Sequence, residues 1–201
     1  MSRAFSIAVT LVLSLAIACS SSPSSEAVAA SLDKGSVLPA LSLVGYVDRN
    51  SDAKLSPDEH GPLTPRDLLR DYPKVELVLV HVAFEWCKYC WEETAPQIAW
   101  TRHYGGRFVS MQVMVETRDG AQADRRLLDS WTKAHASALP TVLEPAGTLF
   151  AKFGKSATYL LLDARDDLRI LAVGAGPPQF EAVRTEIAQR LGPMPDATPA
   201  H

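Results

Sequence analysis

Val75-Glu76-Leu77-Val78-Leu79-Val80-His81-Val82-Ala83-Phe84 leads through Glu85 and Trp86 into Cys87-Lys88-Tyr89-Cys90, and then into a helical stretch over 91–103 that Pro96 interrupts. The first part is β-branched and almost continuously apolar, the pattern of a strand buried on both faces. A buried strand that ends in C-x-x-C and opens a helix has a mechanical meaning. The first sulfur falls where unpaired N–H groups and the helix dipole favour a thiolate, which makes Cys87 the nucleophile. Cys90 follows one helical turn later, more shielded and close enough to resolve a mixed disulfide formed at Cys87. The pair is expected to cycle between dithiol and disulfide.

Outward from this junction the elements keep alternating. Towards the C-terminus the pattern predicts a strand over 108–116, a helix over 121–135, an apolar segment over 139–143 and a short helix over 148–153. Strands over 158–163 and 168–174 are separated by Ala164-Arg165-Asp166-Asp167, a turn of hairpin length and polarity, and a closing helix spans 178–191. Towards the N-terminus, 38–47 forms a first strand or extended arm, 48–65 a polar loop, and 66–72 a short helix stopped by Pro73. Alternation with a terminal hairpin predicts an α/β fold, a central mixed β-sheet flanked by helices. Trp100 and Trp131 have the spacing of core anchors, whereas His60, His103 and His135 are expected at the surface.

The ends carry a different message. Arg3 precedes an apolar run over 4–18 that is shorter than the roughly 20 residues of a membrane span and suits a secretory signal. Leu15-Ala16-Ile17-Ala18-Cys19 resembles the lipobox of bacterial lipoproteins, in which cleavage before the cysteine leaves it lipidated, although Ala16 stands where those boxes favour Leu. The serine- and small-residue-rich stretch behind Cys19 has the composition of a flexible tether. The expected division is a lipoprotein signal peptide over 1–18, a tether over 19–36, one domain over 37–192 and a disordered tail over 193–201. The lipid bilayer is then a partner, and by resemblance to lipoprotein sorting Ser20, in place of Asp, leans towards the outer membrane. With Cys19 lipidated, Cys87 and Cys90 remain in an oxidising compartment and must pair or react. A disulfide closing so short a loop removes little entropy from the unfolded chain, so reactivity is the better explanation. Over all 201 residues the net charge is -3, with 47% hydrophobic and 21% charged residues; the local pair Arg125 and Arg126 fits the wet face of a helix, and nucleic acid is not an expected partner.

The segment from Val78 to Cys90 resembles the active-site segment of thioredoxins and of the membrane-tethered thioredoxin-like reductases of bacteria, including the Trp before the first cysteine, and Pro96 lies close to their helix-kinking proline. Leu139-Pro140-Thr141-Val142-Leu143-Glu144-Pro145, through Phe153-Gly154 to Tyr159-Leu160-Leu161-Leu162-Asp163, is similar to the later half of those tethered proteins and of the peroxiredoxin-like branch. The resemblance spans roughly 37–191 and implies a thioredoxin-like fold and an envelope thiol-disulfide oxidoreductase. It would reduce or exchange disulfides of protein partners with no cofactor beyond a redox-active Cys87–Cys90 disulfide. Trp86, Lys88 and Tyr89 would shape the site. Three positions depart from the pattern. The substrate-contacting cis proline of thioredoxins falls at Ala157; their buried acid falls at His81, here expected to be a hydrogen-bonded core histidine; and Lys88-Tyr89 lacks the proline that many relatives carry between the cysteines. Lys88 should favour the Cys87 thiolate, with Glu85, Glu92 and Glu93 opposing it. The alternative from another class is a non-catalytic thioredoxin-fold lipoprotein acting as a binding module.

Other chemistries fit less well. Zinc would need about four ligands and there is one C-x-x-C; haem attachment would need His where Trp91 stands; a peroxidatic Thr-x-x-Cys is missing around Cys87. One loop stands apart. Asp48, Asn50, Asp52, Lys54 (through its carbonyl), Ser56 and Glu59 have EF-hand spacing for calcium, but Ala53 replaces the turn glycine and a strand, not a helix, precedes the loop. Calcium there would be structural and weak; the competing reading is a solvated acidic turn.

Overall fold

A computed structural model describes residues 32–195 apart from 51, 53 and 137. In chain order it contains β1 (Leu43–Tyr46), a 3-10 turn (Pro57–Glu59), β2 (His60–Leu63), α1 (Asp67–Asp71), β3 (Leu77–Phe84), α2 (Lys88–Tyr104) and β4 (Phe108–Glu116). There follow α3 (Arg125–His135), β5 (Thr141–Leu143), α4 (Thr148–Phe153), β6 (Thr158–Asp163), β7 (Arg169–Ala175) and α5 (Pro177–Leu191). The strands form one sheet in the order β2-β1-β5-β4-β3-β6-β7. β3, β4 and β5 are parallel neighbours, while β6 and β7 on one side and β1 and β2 on the other pair antiparallel. This is the mixed sheet that the alternation predicted.

β3 lies between β4 and β6, and all eight of its residues are buried, which is why its sequence shows no wet face. Val78, Val80, Val82 and Phe84 enter a core with Leu127, Leu128 and Trp131 of α3, and this core also takes in Cys87 and Cys90. Leu77 and Leu79 enter a second core with Trp100 and Tyr104 of α2 and Phe180, Val183 and Ile187 of α5. Both anchor tryptophans are fully buried, and the Trp131 indole donates to Gln112 Oε1 at 2.7 Å. The packed chain reaches further forward than 37: Leu32 is buried in the first core, and the Gly35 N–H donates to the Ile170 carbonyl at 2.8 Å.

Three expectations change. The loop over 48–65 contains β2, which pairs with β1 to extend the sheet edge. α2 begins at Lys88 instead of 91 and runs through Pro96, with Cys87 capping its first turn by accepting the Cys90 N–H. His135 is half-buried: its ring packs against both Trp91 and Trp131, each 4.7 Å away between centroids, and burial pushes its pKa down to about 4. His60 packs edge-on against Tyr46, whereas His103 is exposed as expected.

Candidate redox site

Cys87 and Cys90 are joined by a disulfide with a Cα–Cα distance of 5.3 Å. Cys87 is the N-cap of α2, and its sulfur accepts the Cys90 N–H at 3.1 Å. That contact and the aligned helix dipole stabilise negative charge on the Cys87 sulfur once the bond is reduced. Cys90 is fully buried and Cys87 is 7% exposed, so the first cysteine is the more accessible of the two. The site stands at the carboxyl end of β3. Trp86 and Tyr89, 41% and 53% exposed, are the exposed large hydrophobic side chains among the described residues, and both flank the disulfide. Lys88 is exposed and pairs with Glu92 at 3.5 Å, which draws its ammonium along the helix. Ala157 precedes Thr158, the partner of Val82 across β3 and β6, so it lies at the same sheet end; among the described residues every peptide bond is trans.

Behind the cysteines lies a polar layer. Thr94 donates to the Cys90 carbonyl at 2.7 Å and accepts from Gln112, and Ser110 donates to Gln97, whose amide meets His81 Nδ1 at 2.9 Å. His81 is fully buried and stacked on Tyr159, and desolvation pushes its pKa down to about 3. It is a neutral core histidine at working pH, as the core reading expected. The acid of this layer is Glu93, one turn beyond Cys90 on α2, buried and accepting the Tyr159 hydroxyl. Burial raises its pKa to about 7; the Tyr159 hydrogen bond opposes the rise, and the Glu92 and Glu181 charges add to it. Sequence reasoning gave Glu93 only a charge effect on Cys87. The signal that it faces inward is the helical spacing of Cys90, Glu93, Thr94, Gln97 and Trp100, all buried on α2.

Glu116, at the end of β4, was also missed. It is buried, and its Oε1 accepts both the Trp86 indole N–H at 3.0 Å and the Lys155 ammonium at 3.1 Å. A cavity of about 720 Å³ opens beside it at the carboxyl ends of β4 and β5.

The calcium set lies in the connection between β1 and β2. Glu59 is folded inward, with Oε1 accepting the Arg49 N–H at 2.9 Å and Oε2 accepting the Ser56 N–H at 3.0 Å. Asn50 Oδ1 and Asp52 Oδ1 accept the Asp52 and Lys54 N–H groups, both at 2.9 Å, and Asp48 Oδ1 accepts the Asp52 N–H at 3.2 Å. These oxygens serve the loop's own backbone, and among the described residues no three His, Cys, Asp or Glu side chains are placed to hold a metal. Cys19, with the signal and most of the tether, lies outside the described residues.

No known family profile matches the sequence, and no curated protein does. Solved structures do. The exposed lipoprotein thioredoxin of Streptococcus pneumoniae is 18% identical with a TM-score of 0.52, covering 75% of this chain and 99% of its own. A thiol:disulfide interchange protein from Bacteroides sp. is 17% identical with a TM-score of 0.55, covering 82% of this chain and 94% of its own. A putative DsbE from Chlorobium tepidum is 20% identical with a TM-score of 0.54, covering 81% of this chain and 100% of its own. With the sheet order, the flanking helices and a disulfide at the head of α2, these similarities show that the chain has the thioredoxin-like fold.

Proposed function

We propose that the protein is an exported, lipid-anchored thiol-disulfide oxidoreductase that reduces or exchanges disulfides of envelope proteins. The observation that carries this reading is the Cys87–Cys90 disulfide at the N-terminus of α2, with Cys90 buried and an apolar rim of Trp86 and Tyr89 around it. The names of the structural neighbours support the same chemistry, and the lipobox-like Cys19 and the tether behind it support an envelope location. No helix among the described residues is long and apolar enough to cross a membrane, so on this reading the bilayer is met through the N-terminal lipid.

In the reducing direction the dithiol form acts. The Cys87 thiolate attacks a sulfur of the substrate disulfide, forming a mixed disulfide and releasing the first substrate thiolate. Cys90 then loses its proton and attacks Cys87 Sγ; the mixed bond breaks, the second substrate thiolate leaves, and the Cys87–Cys90 disulfide results. Two electrons pass to the substrate, and an external thiol must restore the dithiol. Glu93, buried one turn from Cys90 with a pKa near 7, is the group suited to accept the Cys90 proton.

Replacing the resolving sulfur tests the reading. Cys90→Ser expressed in cells should accumulate covalent adducts with envelope proteins that dithiothreitol releases, while Cys87→Ser should accumulate none. If neither variant forms adducts, the pair is a structural disulfide and the binding-module alternative stands. Independently, Cys19→Ala should move the protein from the membrane fraction to the soluble fraction; an unchanged distribution would contradict the lipid anchor.

A further inference from the structure

Glu116 joins two segments that border the dithiol. The register of β3 against β4 shifts between Ala83 and Phe84, so that Phe84 pairs with Glu116 and Val115 is passed over. Such a bulge bends a strand and re-aims its side chains. The same strand ends are stitched by Glu85 N–H to the Glu116 carbonyl at 3.1 Å and by Arg118 N–H to Glu85 Oε2 at 2.7 Å. On this frame the Glu116 carboxylate is only 6% exposed, a placement that is costly unless donors compensate it. Both donors arrive at one oxygen. One is the indole of Trp86, which precedes Cys87; the other is Lys155, in the connection between α4 and β6 that also holds Ala157.

We propose that Glu116 is a positioning residue of the redox site, which ties Trp86 to the 154–157 segment and so fixes the surface that a protein disulfide must approach. The inference rests on the oxidoreductase reading. Ala157 lacks the ring that would stiffen its segment, and the Lys155–Glu116 ion pair fixes that segment from outside. The two halves of the tether differ in kind. Lys155 is largely exposed, so its half weakens as salt rises, whereas the indole hydrogen bond to a buried carboxylate is screened far less.

The test uses the full-length protein with oxidised insulin as substrate and dithiothreitol as reductant, together with acrylamide quenching of tryptophan fluorescence, to which the exposed Trp86 contributes most. Lys155→Met and Glu116→Gln both remove the ion pair and should raise KM for insulin about fivefold with a much smaller change in kcat. Glu116→Gln keeps an acceptor for the Trp86 indole, so its quenching should stay near wild type, while Glu116→Ala should increase quenching as well as KM. Lys152→Met, which removes a different surface ion pair with Asp33, serves as the control and should change neither. Wild-type KM and quenching in Lys155→Met, Glu116→Gln and Glu116→Ala, while the wild-type protein reduces insulin, would overturn the positioning assignment alone. A wild-type protein that cannot reduce insulin would sink the oxidoreductase reading, and the assignment with it.

Discussion

Glu93 brings a protonation change into the pH range where a dithiol works. Burial raises its pKa from 4.5 to about 7, so folding favours the protonated carboxyl. The stability it contributes is complete below about pH 4.5 and is lost as pH rises through 7. Glu93→Gln imitates the neutral form and should escape that loss. Denaturant titrations from pH 4.5 to 8 should show the wild type losing about 2 kcal/mol relative to the variant, a value discounted from full linkage because water screens part of the group. Parallel curves would show that Glu93 is not held neutral by the fold. The same residue governs kinetics on the proposed mechanism: resolution of a Cys87 mixed disulfide should accelerate with a midpoint near pH 7, and Glu93→Gln should abolish that midpoint. At this scale the sulfurs were legible, because C-x-x-C after a buried strand has few other uses. Glu93 and Glu116 were not, since an acidic side chain is ordinarily solvated; the helical spacing on α2 is the one sequence signal for Glu93, and only the packing of β4 shows Glu116 facing inward.

Elements depend on a few backbone positions. At Gly45 a Cβ would run into the Thr141 carbonyl and the Val142 Cα, because β1 lies close on β5. Gly45→Ala should therefore cost about 2 to 3 kcal/mol in denaturant unfolding, and a loss near zero would contradict the close pairing of these strands. Asp124 caps α3 by accepting the Leu127 N–H at 3.0 Å, so Asp124→Ala should cost about 1 kcal/mol by the same measurement. This cap also explains why α3 starts at Arg125 and not at 121. β3, β4, β6 and β7 were legible because their apolar runs are long, and α5 because its spacing is regular. β2 was not: His60-Gly61-Pro62-Leu63 has poor strand propensity, and only its pairing with β1 makes it a strand. The residues with EF-hand spacing lie in the connection between β1 and β2, where Asn50, Asp52 and Glu59 accept N–H groups of the loop's own backbone.

Across the whole molecule, topology puts chemistry at one end of the sheet. Three parallel strands finish together there, β3 delivers the cysteines into α2, and the antiparallel hairpin of β6 and β7 brings Ala157 to the same end. That arrangement followed from the order of apolar runs, whereas the polar layer and the Glu116 tether depend on distant segments meeting and have no local pattern. The central claim is that Cys87 and Cys90 form a reversible couple and not a permanent staple. Equilibrating the purified protein in glutathione and dithiothreitol buffers and counting free thiols measures this directly. A reversible two-electron transition above about -300 mV, abolished in Cys87→Ser, is the predicted result. A pair that stays oxidised well below that range would contradict it.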